Sequence, residues 1–169
     1  MLARLFSSLT VLSILVLPAA ADDWVTTKLR GTAEVLIDET WTPLRRGDLV
    51  ADGQQVRTLA ESRVELQHGE DIIALEPDTL VSIEDNAAES FTIVHQEIGT
   101  VEVEAEVRDS YHLTVETRYL VAVVKGTHFI VKADDAGASV EVTKGLVAVQ
   151  AAQSREITSV PPGITASVG

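Results

Sequence analysis

The chain has 169 residues, no cysteine and a formal net charge of −13; 46% of it is apolar and only 4% aromatic. That length suits one domain with a substantial core. Lack of cysteine excludes disulfides, thiolate metal sites, cysteine nucleophiles and lipoprotein anchors. The acidic balance leaves no basic patch to neutralise phosphates, which argues against nucleic acid as a partner.

Met1 to Ala21 reads as a secretory signal peptide. Arg4 supplies the positive start, Leu5 to Leu17 is mostly apolar, Pro18 ends the run, and Ala19-Ala20-Ala21 offers a cleavage site. The run is too short for a membrane span, which takes about 20 apolar residues. The mature chain is expected to run from Asp22 to Gly169 with a formal charge of −14. No second span is expected after cleavage; Leu120 to Val124 is five residues long and reads as a buried strand. Export to a bacterial periplasm or the extracellular space follows. Without disulfides, the core alone must hold the fold.

Beyond Asp22 the pattern is strand, turn, strand. Forty-five of the mature residues are Val, Ile or Thr, which favour pleated surfaces. Ala33, Val35 and Ile37 alternate with Glu34, Leu36 and Asp38, and Val64 and Leu66 alternate with Arg63, Glu65 and Gln67. Val101, Val103, Ala105 and Val107 alternate with Glu102, Glu104 and Glu106; Val140 and Val142 flank Glu141. Each segment places apolar groups on one face and polar groups on the other. Turn signals separate them at Arg46-Gly47-Asp48, Asp52-Gly53, His68-Gly69, Glu76-Pro77-Asp78, Asp134 to Gly137 and Lys144-Gly145. No window shows a sustained 3.6-residue period, so little or no helix is expected. A turn at Pro161-Pro162-Gly163 precedes a last short segment that either pairs or frays. The expected architecture over 22–169 is one all-β domain of many short strands. A β-roll or short antiparallel β-solenoid is favoured, with a two-sheet sandwich as the alternative.

The order of these pieces resembles the FecR domain. The match begins at Gly31-Thr32-Ala33-Glu34-Val35, passes through Trp41 to Leu44 and Gly47 to Thr58, and continues with Ser62 to Leu66 and Ile73 to Thr79. Gly99-Thr100-Val101 and Leu113 to Thr117 follow. Lys125-Gly126-Thr127-His128-Phe129-Ile130-Val131 is similar to the family's Arg-Gly-Thr-x-Phe-x-Val signature, with Lys for Arg. Lys keeps the charge and loses the planar fork. The resemblance covers about residues 25–165. It implies a regulatory domain of the cell envelope. The family's best-known members place a sigma-binding cytoplasmic segment and a membrane helix before this domain; here a signal peptide stands in their place.

Gly126 within an apolar pattern suggests a bulge or a close backbone approach, with Thr127 satisfying a freed backbone group. Gly126, Thr127 and Phe129 are therefore expected to be structural. Fifteen acids and two bases, Arg63 and Arg108, fall between residues 61 and 116, so nearly all the excess charge lies mid-chain. Glu102, Glu104 and Glu106 are expected on one face of one strand, about 6 to 7 Å apart, with only Arg108 in the segment to offset them. They read as a solvated face or as a surface for a cationic partner. A calcium site is the weaker alternative, because the pattern is straight and no Asp-x-Asp-x-Asp-Gly loop is present. His68, His95, His112 and His128 show no metal-ligand spacing, and His112 and His128 are expected to face outward. There is no Gly-x-Ser-x-Gly elbow and no phosphate-cradling glycine loop. Catalytic residues, cofactor and metal are all expected to be none. The expectation is a non-enzymatic exported module for envelope sensing, signalling or scaffolding, with an envelope protein as its partner. A polysaccharide- or metal-ion-binding module is the alternative.

Overall fold

The computed structural model describes residues 23–86 and 89–169, so the segment read as a signal peptide lies outside it. All regular structure in the described residues is strand. In chain order these are β1 (Trp24–Arg30), β2 (Ala33–Ile37), β3 (Thr40–Pro43), β4 (Leu49–Val50), β5 (Gln55–Thr58), β6 (Arg63–His68), β7 (Asp71–Leu75) and β8 (Leu80–Asn86). There follow β9 (Phe91–Glu104), β10 (Leu113–Glu116), β11 (Leu120–Val124), β12 (His128–Ala133), β13 (Ala138–Lys144), β14 (Val147–Ala151), β15 (Ile157–Val160) and β16 (Thr165–Val168). The chain is thus all-β, as its β-branched alternation predicts.

Hydrogen bonding links all sixteen strands into one open, mixed network, and β9 joins its two halves. One half runs β4-β1-β6-β7-β9-β12-β13-β16; the other runs β3-β2-β5-β8-β9-β10-β11-β14-β15. Every pairing is antiparallel except β9 with β10. The chain adds strands to the two halves by turns, so sequence position advances along both together. One apolar cluster takes side chains from both halves, including Leu66, Ile73, Phe129 and Val131 from the first and Val56, Ile83, Val115 and Val149 from the second. The path is that of a roll, and its two layers enclose a single core.

The first eight residues of β9 pair with β8 and β10; from Gly99 onward it pairs with β12 and then β7. The switch falls on Gly99, at φ +100°, where a Cβ would lie 2.5 Å from Thr79 Cα. Only glycine meets both conditions. The Thr100 N–H donates to Thr79 Oγ1 at 2.9 Å, and the Thr32 N–H donates to Ser62 Oγ at 2.8 Å beside Gly31. The same device, a Gly-Thr backbone docked on a neighbouring hydroxyl, therefore closes two corners.

Several sequence expectations change. Ile37 and Val107 continue apolar alternations but are 42% and 76% exposed: Ile37 pairs only with Thr40 of β3, beyond the stretch of β2 that pairs with β5, and Val107 follows the end of β9. Gly126-Thr127 is not inside a strand: it forms the bend between β11 and β12. The expected close approach is present, since a Cβ on Gly126 would lie 2.8 Å from Val107 Cα. Thr127 does not satisfy a freed backbone group; its buried hydroxyl has no hydrogen-bond partner. The last segment pairs as β16 against β13. Trp24, which precedes the family-like pieces, is a principal core residue at 1% exposure.

Candidate functional site

Two clusters of similar chemistry flank β7 and the second half of β9. The first lies on the outer face. Alternation turns Val101 and Val103 into the core and Glu102 and Glu104 out of it, as expected from the sequence. Ala74 on β7 stands between Glu65 of β6 and Glu102 of β9 in the register. Its short side chain lets the tall groups of the flanking strands meet over it. Arg63 Nη2 donates to Glu102 Oε2 at 2.8 Å, and Arg63 also pairs with Glu76. His128 Nε2 lies 2.7 Å from Glu102 Oε1. Lys28 Nζ lies 2.9 Å from Glu65.

Glu102 is the hub of this cluster. The hydrogen bond from Arg63 first, and that from His128 second, hold its carboxyl below the usual carboxylate range against a smaller opposing effect of burial. Arg108 is therefore not alone in offsetting the acidic strand. Arg63, 39 residues upstream, and His128, 26 residues downstream, supply charge and hydrogen bonds that local spacing does not reveal.

The outer face leads into a cleft of about 190 Å³ at the end of β9, lined by residues that include Glu70, Glu104, Glu106, Gly126, Thr127 and Lys144. Four of the residues singled out from sequence thus meet in one place. Glu102 lies next to it through His128, which lines both the cleft and the groove over Ala74. Phe129 is apart from them: it is fully buried and anchors β12 to the core. Glu104 is exposed and Glu106 half-buried, the latter tied to Arg108 at 2.6 Å.

The second cluster is buried. Asp71 opens β7, and its Oδ1 accepts the Glu106 N–H at 2.7 Å. His112 Nε2 lies 3.1 Å from the same oxygen, and Arg108 Nη2 lies 3.5 Å from Oδ2. An ionised carboxylate only accepts, so His112 Nε2 is the donor in this contact. The other ring nitrogen, Nδ1, is buried without a hydrogen-bond partner. His112, expected to face outward, is only 2% exposed. Neighbouring β10 is buried on both faces at Leu113, Thr114 and Val115, so alternation carries no directional information there.

A further cleft of about 370 Å³ adjoins Asp71 and includes Asp23, Asp52, Asp85, His68, Phe91 and Arg108. Two of its carboxylates tie neighbouring segments together. Asp85 accepts from Trp24 Nε1 at 2.8 Å and from Thr92 Oγ1 at 2.6 Å, while Asp52 accepts the Asp85 N–H at 2.7 Å. Among the described residues no group of three or more His, Asp or Glu side chains is disposed to hold a metal ion.

The paired strands around one shared core and the corner glycines define an all-β module of layered sheets. A sequence model of the FecR protein family matches residues 54–148, more than half of the chain, and the chain belongs to that family. Two crystal structures of a candidate anti-sigma factor from Parabacteroides distasonis, at 1.65 and 2.50 Å resolution, share the fold with TM-scores of 0.58 at 19% identity. The match covers 66% of this chain and 52% of that protein, so this chain spans about half its length. The comparison with curated proteins returned no match.

Proposed function

We propose that this chain is an exported, non-enzymatic FecR-type module that serves envelope sensing or scaffolding by binding an envelope protein through the outer face around Glu102 and Glu104. Family membership over 54–148 carries the regulatory reading, and the fold shared with a candidate anti-sigma factor is in keeping with it. The face itself has the properties a protein partner uses. Arg63, Glu102 and His128 are held in fixed positions, with side chains 36%, 28% and 35% exposed. Next to them Glu104 offers a carboxylate to a cationic partner. Charges so arranged select a partner and speed its approach.

The test is affinity capture from envelope extract with the purified chain and with a Glu102→Lys/Glu104→Lys variant. The expected result is a discrete protein retained by the wild type and released by the variant at matched thermal stability. Recovery of glycan or a metal ion without protein overturns the reading, as does equal retention by both chains.

A further inference from the structure

The cleft at the end of β9 lies where several connections meet. They are the β6–β7 turn at Glu70, the segment after β9 at Glu106 and Val107, and the bend Gly126-Thr127, with Lys144 at the end of β13 beside them. Backbone contacts fix its walls. A Cβ on Gly126 would lie 2.8 Å from Val107 Cα, and one on Gly145 would lie 2.6 Å from the Gly126 carbonyl oxygen. The Ala105 N–H donates to the Thr127 carbonyl at 2.9 Å. At about 190 Å³ the cleft has room for one side chain; drug-sized ligands occupy sites of about 300 Å³ and more.

Charge and an orphaned hydroxyl identify the occupant. Glu106 is neutralised by Arg108 at 2.6 Å, and His128 is engaged with Glu102. Among the described residues the side chains of Glu70, Glu104 and Lys144 have no hydrogen bond or ion pair. Two free carboxylates against one ammonium leave the cleft one unit of negative charge to be met. No group of described His, Asp or Glu side chains is disposed to hold a metal ion, so the charge that meets it is organic. Thr127 points to an occupant independently. It lines the cleft at 4% exposure, and its hydroxyl has no partner. Its methyl carbon lies against Gly145 and its carbonyl is taken by Ala105, so the hydroxyl is the group left for the cleft. An unpaired buried hydroxyl is costly, and a donor that enters the cleft removes the cost. Val107, 76% exposed at the rim, offers apolar surface to a hydrocarbon stem. We infer that this cleft receives one lysine or arginine side chain of the envelope protein, its stem on Val107 and its head between Glu70, Glu104 and the Thr127 hydroxyl. The inference rests on the outer-face contact proposed above and deepens it, since Glu104 belongs to both.

The test is amide chemical-shift mapping on the purified chain, titrated with N-acetyl-arginine amide and N-acetyl-lysine amide, with N-acetyl-norleucine amide as the neutral control. The expected result is saturable shifts at Glu70, Val107 and Thr127 with a cationic probe and none with the neutral one; the tighter of the two cations names the side chain. Glu70→Gln, on an exposed turn, should weaken that binding several-fold. Thr127→Val should do the same with an unfolding midpoint unchanged or raised, which a purely structural hydroxyl would not give, and Thr127→Ser should retain binding. No saturable response, an equal response to the neutral probe, or saturable shifts confined to the cleft at Asp52 and Asp85 overturns the inference. So do Glu70→Gln and Thr127→Val chains that bind as the wild type does. No envelope extract enters this measurement. Failure here leaves capture through Glu102 intact, and failed capture leaves the probe binding measurable, so the two readings fail separately.

Discussion

Asp71 with His112 and Arg108, and Glu102 with His128 and Arg63, are the same three chemical groups assembled twice. The first set closes around a carboxylate only 3% exposed and the second around one 28% exposed. Burial decides what each does. In the interior, Asp71 accepts the Glu106 N–H and holds His112 of the β9–β10 connection, while Arg108, which also pairs with Glu106, lies 3.5 Å from it. A buried carboxylate stripped of partners, or partners stripped of their carboxylate, is costly. On the outer face water competes for every contact, so the pairs around Glu102 contribute little to stability. Fixed geometry with small energetic stake is what leaves that face available for recognition.

Breaking the inner set is expected to have the largest effect. Asp71→Ala should destabilise the fold by about 3–5 kcal/mol, read as a large fall in the urea midpoint; a shift no greater than that of a surface substitution contradicts the clamp. Phe129→Ala, in the core beneath the outer set, should cost about 3–5 kcal/mol through loss of burial and the cavity left behind. Gly126→Val should cost about 1–3 kcal/mol, because its positive φ and the 2.8 Å approach to Val107 both penalise a side chain. An unchanged melting temperature would remove the close-packing role of that bend.

Glu102→Gln sharpens the comparison from the other side. Its stability cost should be about 0.2–1 kcal/mol at neutral pH, while capture of the envelope protein falls markedly. The pH dependence has a definite sign. Glu102 is held at a lower value in the folded chain than in the unfolded one, so its contribution is present above the ordinary carboxylate range. It is lost as pH falls through the lowered folded value. The stability gap between wild type and Glu102→Gln should therefore close on acidification; a gap that widens contradicts the assignment of Arg63 and His128 as its partners.

The outer set was half legible in the sequence. Period-two alternation over Val101 to Glu104 puts the glutamates outward, and strand geometry alone secures that. Their partners were not legible, because Arg63 and His128 arrive through the pairing of β6, β7 and β9 and of β9 with β12, and register across several strands is a long-range property. The inner set was hidden for a further reason. His112 precedes a strand buried on both faces, where a polar residue and an apolar one are equally enclosed, and Asp71 is 41 residues away. Turns signalled by glycine were readable. The turn between β2 and β3 was not: it takes positive φ at Asp38 and Glu39, two residues that carry no glycine signal.

The claim that the exposed set faces a partner is tested most directly in the cell. A photo-cross-linking residue placed at Glu104, with a control at Glu39 in the β2–β3 turn, reports what touches each surface. The account predicts a discrete protein adduct at position 104 that disappears when Glu102→Lys is added and is absent at position 39. No adduct at 104, or the same adducts at both positions, would contradict it.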